Sequence, residues 1–149
     1  NFLEEASEIG VDGLIIPDLP VEESSDLSGE CKTVGLHLIP LLAPTSTDER
    51  IEAACRTAGG FIYCVSLTGV TGARQSLSTG VKELVGRIRK YTELSILVGF
   101  GVSNREDVVR IGGFADGAVV GSALLDTIAQ SEKGSEVENA MTFIKSLLP

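Results

Sequence analysis

Two short motifs near the C-terminal end, GFG at 99–101 and GS at 121–122, each sit between an apolar run and a segment with helical spacing. Glycine allows backbone to come close to a ligand, and the first turn of a helix presents unpaired N–H groups with partial positive charge. Side by side, Gly101, Gly121 and Ser122 would hold an anion, a phosphate above all, through backbone amides and without lysine or arginine. Any one of these glycines also reads as a tight turn; the repetition at successive strand ends is what points to an anion cradle. A third segment, SLTGVTGAR (66–74), also leaves an apolar run. Thr68 and Thr71 bring hydroxyls, Gly69 and Gly72 permit sharp bends, and Gly72 offers a further N–H. Its composition fits a lid that excludes water over a ligand; the alternative is a surface loop.

Other chemistry-bearing residues are fewer. Tyr63 lies late in an apolar run, placed either to line a ligand cavity or to serve as a core tyrosine bonded to backbone. Asp18, within PDLP, is the carboxylate found directly at a strand end. It reads as a general base or as a cap, and Pro20, Glu22 and Glu23 after it favour a helix start. His37 opens a strand and reads as structural. Lys32, Lys82, Lys90, Lys133 and Lys145 fall in helices or at their ends, which argues against Schiff-base chemistry. Cys31, Cys55 and Cys64 form no C-x-x-C, and with one histidine they define no metal site. They read as small buried hydrophobes in a reducing cytoplasm. The residues alone identify no catalytic group, no metal and no cofactor.

The bulk properties agree. A chain of 149 residues with 43% hydrophobic and 5% aromatic content is long enough for one domain with an aliphatic core. A net charge of −9 disfavours nucleic acid and anionic membrane surfaces as partners, so an anionic ligand needs a locally favourable site. No apolar run approaches the ~18 residues of a membrane span, and NFLEEASEIG lacks the basic start of a signal peptide.

Strands must position these motifs. Five short apolar runs, at 12–17, 36–42, 60–66, 94–100 and 116–121, read as parallel strands. Between them, Ile51, Ala54, Cys55 and Ala58, then Val81, Leu84, Val85 and Ile88, recur at helical spacing, as do Val137, Ala140, Met141, Ile144 and Leu148. Thr47 is expected to cap one helix, and Ser103 another, with Glu106 completing a capping box. A leading helix followed by strand–helix units predicts a parallel α/β sheet, either open and doubly wound or part of a (β/α)₈ barrel. A closed barrel takes eight strands and about 250 residues. Phosphate sites of barrels recur after the last two strands. On that placement the runs are strands four to eight, a single domain over 1–149 comprising the C-terminal five βα units and lacking the first three.

GLIIPDLPVEES, GFIYCVSLTGVTGAR, LVGFGVS and GAVVGSAL, in that order, resemble the tryptophan synthase alpha chain over essentially the whole sequence. The resemblance implies a TIM (β/α)₈ barrel. Its reaction is cleavage of indole-3-glycerol phosphate to indole and glyceraldehyde 3-phosphate, with no cofactor, beside a beta chain in a heterotetramer. Gly72, Gly101, Gly121 and Ser122 would hold the phosphate. Tyr63, Phe100, Ile15 and Val119 would line the indole pocket. Thr71 would orient a catalytic aspartate, and Asp18, Pro20 and the APTSTDE loop would face the beta chain. Nothing here matches the acid/base glutamate and aspartate of that family, which lie upstream, so no catalytic residue is assigned. The expectation is weak binding of glycerol phosphates without lyase activity, and exposed sheet edges that favour self-association. The alternatives are another phosphate-binding (β/α)₈ enzyme and a non-catalytic subunit that senses phosphate.

Overall fold

The computed structural model describes residues 1–65, 74–99 and 101–148, the side chains of 74–79 excepted. Helix α1 (Phe2–Glu8) starts at Asn1, whose side chain accepts from the Leu3 N–H, and buries Leu3 and Ala6. Strand β1 (Gly13–Ile15) leads through a 3₁₀ turn (Val21–Glu23) into α2 (Ser24–Thr33). Strands β2 (His37–Ile39) and β3 (Leu41–Leu42) precede α3 (Asp48–Thr57), and β4 (Phe61–Val65) precedes α4 (Arg74–Ile88). Strand β5 (Ser95–Gly99) is followed by α5 (Arg105–Gly112), and β6 (Gly117–Val119) by α6 (Ser122–Ala129) and α7 (Glu136–Leu147).

Every strand pair is parallel, and the strands lie in chain order, β1-β2 and β3-β4-β5-β6. A doubly wound sheet would reverse its strand order at a switch point and carry helices on both faces. Here the order never reverses. Ile62, Cys64, Ile96 and Val98 point to one side and pack with Ile51, Ala54, Leu84, Val85, Ile88 and Ile111 of the helices. That is the layering of a barrel arc: helices outside, strands inside, the apolar core between them. Leu3, Ala6, Cys31, Leu36 and Leu38 form a second cluster under α1 and α2.

The expected single strand over 36–42 is two. Pro40 has no N–H and interrupts the ladder. The chain nevertheless stays beside β4, because the Pro40 carbonyl accepts from the Tyr63 N–H at 3.1 Å and Leu38 accepts from Gly59 at 3.0 Å. Thr47 caps α3 as expected. The cap of α5 is Asn104 rather than Ser103: its Oδ1 accepts from the Asp107 N–H at 3.0 Å. The helix begins one residue later than the sequence suggested, so Asp107 takes the position expected of Glu106.

The periodic stripes of α3 and α4 are buried, but that of α7 is not. Val137, Met141, Ile144 and Leu148 are exposed, and Leu147 is the buried residue of that helix. At the lower rim, His37 packs against Gly59 and Gly60, where a Cβ on Gly59 would come within 2.7 Å of its Nδ1. That contact supports the structural reading of this histidine.

Candidate functional site at the carboxyl ends of the strands

Register brings three strand ends level. Val65 pairs with Gly99, and Gly99 with Val119, so β4, β5 and β6 finish on one line. Period-two alternation then sorts the side chains. Ile62, Cys64, Ile96 and Val98 go outward into the core, leaving Tyr63, Leu97 and Val119 on the inner face, half-buried. Ile15 shares that inner side on β1, 44% exposed, because Leu14 and Ile16 on either side of it pack outward.

Gly99 is needed for a reason the sequence did not show. A Cβ there would lie 2.5 Å from Cζ of Tyr63, and closer still to its hydroxyl. The Tyr63 ring therefore lies across the Gly99 backbone, and glycine is the residue that leaves room for it. Burial raises the Tyr63 pKa, so the phenol stays protonated at neutral pH. It is available as a neutral donor or acceptor on the inner face.

The two helix starts above these ends differ. At α5 the N-terminus closes on itself. Asn104 caps the Asp107 N–H, the Asp107 carboxylate reaches back to the Ser103 N–H at 3.3 Å, and Arg110 pairs with that carboxylate. A helix start that already carries its own anion offers little to another. Beside it, Gly101 adopts φ +71°, a left-handed conformation suited to glycine.

At α6 the N-terminus is open. Gly121 occupies the cap position with no side chain to cap the helix. Its carbonyl accepts from the N–H groups of Leu124 and Leu125 at 3.0 and 3.1 Å. The N–H groups of Ser122 and Ala123 have no partner among the described residues. A Cβ built on Gly121 would meet none of the described residues within 4 Å. Ser122 is exposed and brings a hydroxyl to the same place.

The structure thus gathers Tyr63, Gly101, Val119, Gly121 and Ser122 around the level ends of β4 to β6, with Ile15 on the inner side of the separate β1–β2 pair. Thr71, Gly72 and Phe100 lie outside the described residues. Of the two helix starts expected to share an anion, α5 is capped by its own side chains and α6 carries no side-chain cap. The Ala123 N–H, also without a partner among the described residues, was not flagged by the sequence, because a backbone amide on alanine carries no side-chain signal. Asp18 is exposed and, among the described residues, its carboxylate takes no hydrogen bond or ion pair; the 3₁₀ turn after it starts at Pro20 without a side-chain cap. The expectation that Asp18 caps the following turn therefore fails, since PDLP is closed by backbone, Leu19 N–H to Ile16 carbonyl at 3.2 Å. A separate cavity of about 100 Å³ opens among Ile16, Leu19, Val21, Ile39 and Pro40, on the side of the strands that faces the 3₁₀ turn. Its lining includes residues at and just past the carboxyl ends of β1 and β2. No group of three or more potential metal ligands occurs among the described residues, and no helix there is long and apolar enough to cross a membrane.

Parallel strands in chain order, an outer layer of helices and an open helix start after the last strand define a (β/α)₈ barrel arc with its candidate site at the carboxyl end. The family model described as tryptophan synthase alpha chain matches residues 1–147. The chain belongs to the tryptophan synthase alpha chain family. It is 45% identical over 148 residues to the tryptophan synthase alpha chain of a Thermoanaerobacter species, covering 99% of this chain and 56% of that one. With the Roseiflexus castenholzii alpha chain it shares 49% over 138 residues, covering 93% and 53%. Among solved structures, the alpha subunit from Campylobacter jejuni superposes with a TM-score of 0.85 at 34% identity, covering 99% of this chain and 58% of that one. A chain from the tryptophan synthase a2b2 complex of Pyrococcus furiosus gives 0.86 at 36%, covering 99% and 59%. The chain therefore spans a little over half the length of the relatives it matches.

Proposed function

We propose that this chain provides the phosphate-holding part of a tryptophan synthase alpha reaction, the cleavage of indole-3-glycerol phosphate to indole and glyceraldehyde 3-phosphate. The observation that carries the reading is the start of α6, where the Ser122 and Ala123 N–H groups have no partner among the described residues and no side chain caps the helix. The phosphate would sit on Ser122 and Ala123 N–H with the Gly101 backbone beside it. The indole ring would lie along the inner face between Tyr63, Val119 and Ile15. The net charge of −9 does not oppose this, because oriented backbone dipoles act within one helix turn and need no basic side chain.

The reaction moves protons and no net electrons. The C3 carbon of the indole ring takes a proton, the glycerol hydroxyl next to it gives one up, and the bond between ring and side chain breaks to release the aldehyde. Positioned acids and bases supply about 10²–10⁴-fold each in such steps. The family's glutamate and aspartate are not matched in this sequence. The segment's contribution is binding and orientation, and it pairs with a beta chain as the alpha subunits of a2b2 complexes do. The free thiols Cys31, Cys55 and Cys64 suit a reducing cytoplasm.

Proline at the first helical position is tolerated and deletes one N–H. Ser122→Pro should therefore weaken glycerol 3-phosphate binding by about tenfold, as for one lost hydrogen bond to a charged group. Ser122→Ala, which loses only the hydroxyl, should cost less. Equal affinities for wild type and Ser122→Pro in calorimetric titration would overturn the assignment.

A further inference from the structure

Strand β6 has three residues and, among the described residues, pairs with β5 alone. So short a strand has few rungs to fix its register. A one-residue slip would turn Val119 to the opposite face and carry Gly121 about 3.3 Å along the strand.

A clamp below β6 supplies what the ladder lacks. Asp116, the residue before β6, donates its N–H to the Ile96 carbonyl at 3.0 Å, and its Oδ2 accepts the Ile96 N–H at 2.7 Å. One residue thus occupies both hydrogen-bonding groups of Ile96. Arg89, just past α4, donates from Nη2 to the same Oδ2 and from Nη1 to the Leu94 carbonyl at 2.9 Å. The guanidinium thereby joins the start of β5 to the start of β6.

We propose that Arg89 and Asp116 are a positioning pair for the anion site: by locking β6 against β5 at its lower end, they set where the Gly121–Ala123 amides stand relative to Gly101 at the upper end. This rests on the reading of the α6 start as a phosphate site. The pair does not touch the ligand; it acts through the four residues of chain between Asp116 and Gly121. The Arg89 hydrogen bond, and then that of the Ile96 N–H, hold the Asp116 carboxyl below the usual carboxylate range, so the clamp stays charged at neutral pH. At 42% exposure for Asp116 and 35% for Arg89, the ion pair itself is a weak source of stability. Its effect lies in register.

Calorimetric titration of the chain with glycerol 3-phosphate and with inorganic phosphate tests this, run where unfolding curves show each variant folded. Asp116→Ala removes both side-chain bonds and should weaken binding about tenfold, the cost of one misplaced hydrogen bond to a charged group. Asp116→Asn keeps an acceptor for the Ile96 N–H but faces Arg89 with a neutral amide, and should lose about threefold, in keeping with an exposed ion pair. Arg89→Lys, which keeps the charge, should bind more tightly than Arg89→Ala. If Asp116→Ala fails to fold, the Asn and Lys variants carry the test. A fall in Tm with unchanged affinity would overturn the proposal, since a merely structural clamp behaves that way. If the wild type binds neither ligand, the phosphate reading of α6 fails. The clamp is then judged by cross-strand NOEs between Val98 and Ala118: their loss in Asp116→Ala supports it, and their persistence refutes it.

Discussion

The contact between Tyr63 and Gly99 gives the sharpest mutational expectation. A methyl group on residue 99 would sit 2.5 Å from Cζ and 2.8 Å from Cε1 of the Tyr63 ring, against ordinary carbon contacts of about 3.5–4.0 Å. The ring must leave its position or the β4–β5 ladder must spread. Overpacking of this kind costs about 1–3 kcal/mol. For a chain of this size that is roughly 3–10 °C in Tm. Tyr63→Ala alone leaves a gap on the inner face. Full burial of an aromatic ring would put that loss at about 3–5 kcal/mol; the ring is half-buried, so the loss should be well below that range. In the double variant the added methyl group occupies the space the ring vacated. The two losses should therefore not add, with a coupling of about 1–3 kcal/mol. Tyr63→Phe offers a control: it removes the hydroxyl but keeps Cζ and Cε1, so it should not rescue Gly99→Ala. Denaturant unfolding of the three single and two double variants measures this. Additive losses within about 0.5 kcal/mol, or rescue by Tyr63→Phe, would refute the packing argument.

Three further expectations concern the elements that support the site. Asn104→Ala should lower stability by about 1 kcal/mol, as for other N-caps, while Ser103→Ala should be near neutral; the reverse order in thermal unfolding would restore Ser103 as the cap. Asp116 is held below its ordinary pKa in the folded chain, first by Arg89 and then by the Ile96 N–H. The stability it contributes should be present above the unfolded value of about 3.9 and drain away as pH falls below it. Asp116→Asn should remove that part of the acid slope, under about 1 kcal/mol for so exposed a pair; an unchanged slope between pH 5 and pH 2 would contradict it. Burial pushes the Cys64 thiol up to about 12, with Cys55 adding to the rise, and Cys31 is also fully buried. Thiol titration of the folded chain should label Cys55 first and reach Cys31 and Cys64 only on denaturation; early labelling of Cys64 would mean that β4 is not packed as described.

Much of the fold could be read from local pattern. The apolar runs at 60–66 and 94–100 and the stripe Val81, Leu84, Val85 and Ile88 were legible because a buried strand and a core-facing helix repeat at fixed periods. Pro40 could have signalled the break between β2 and β3, but its carbonyl still pairs with β4, a tertiary fact invisible in sequence. The α7 stripe looked like core and is exposed, because periodicity says that a face is apolar without naming what covers it. At the site, GFG and GS announced backbone chemistry. Whether a helix start is open or self-capped depended on which of Ser103 and Asn104 takes the cap, a choice of one residue that propensity does not make. The role of Gly99 required Tyr63 of a neighbouring strand, 36 positions earlier in the chain.

The central claim is that an anion is held by the open start of α6 and not by the closed start of α5. An amide-resolved NMR titration with glycerol 3-phosphate addresses it directly. The account predicts that the Ser122 and Ala123 signals move together with Gly101 along one saturable curve, while Arg105 and Glu106 at the start of α5 stay put. Movement confined to α5, or to the arginine side chains, with Ser122 and Ala123 unchanged at saturation would contradict it.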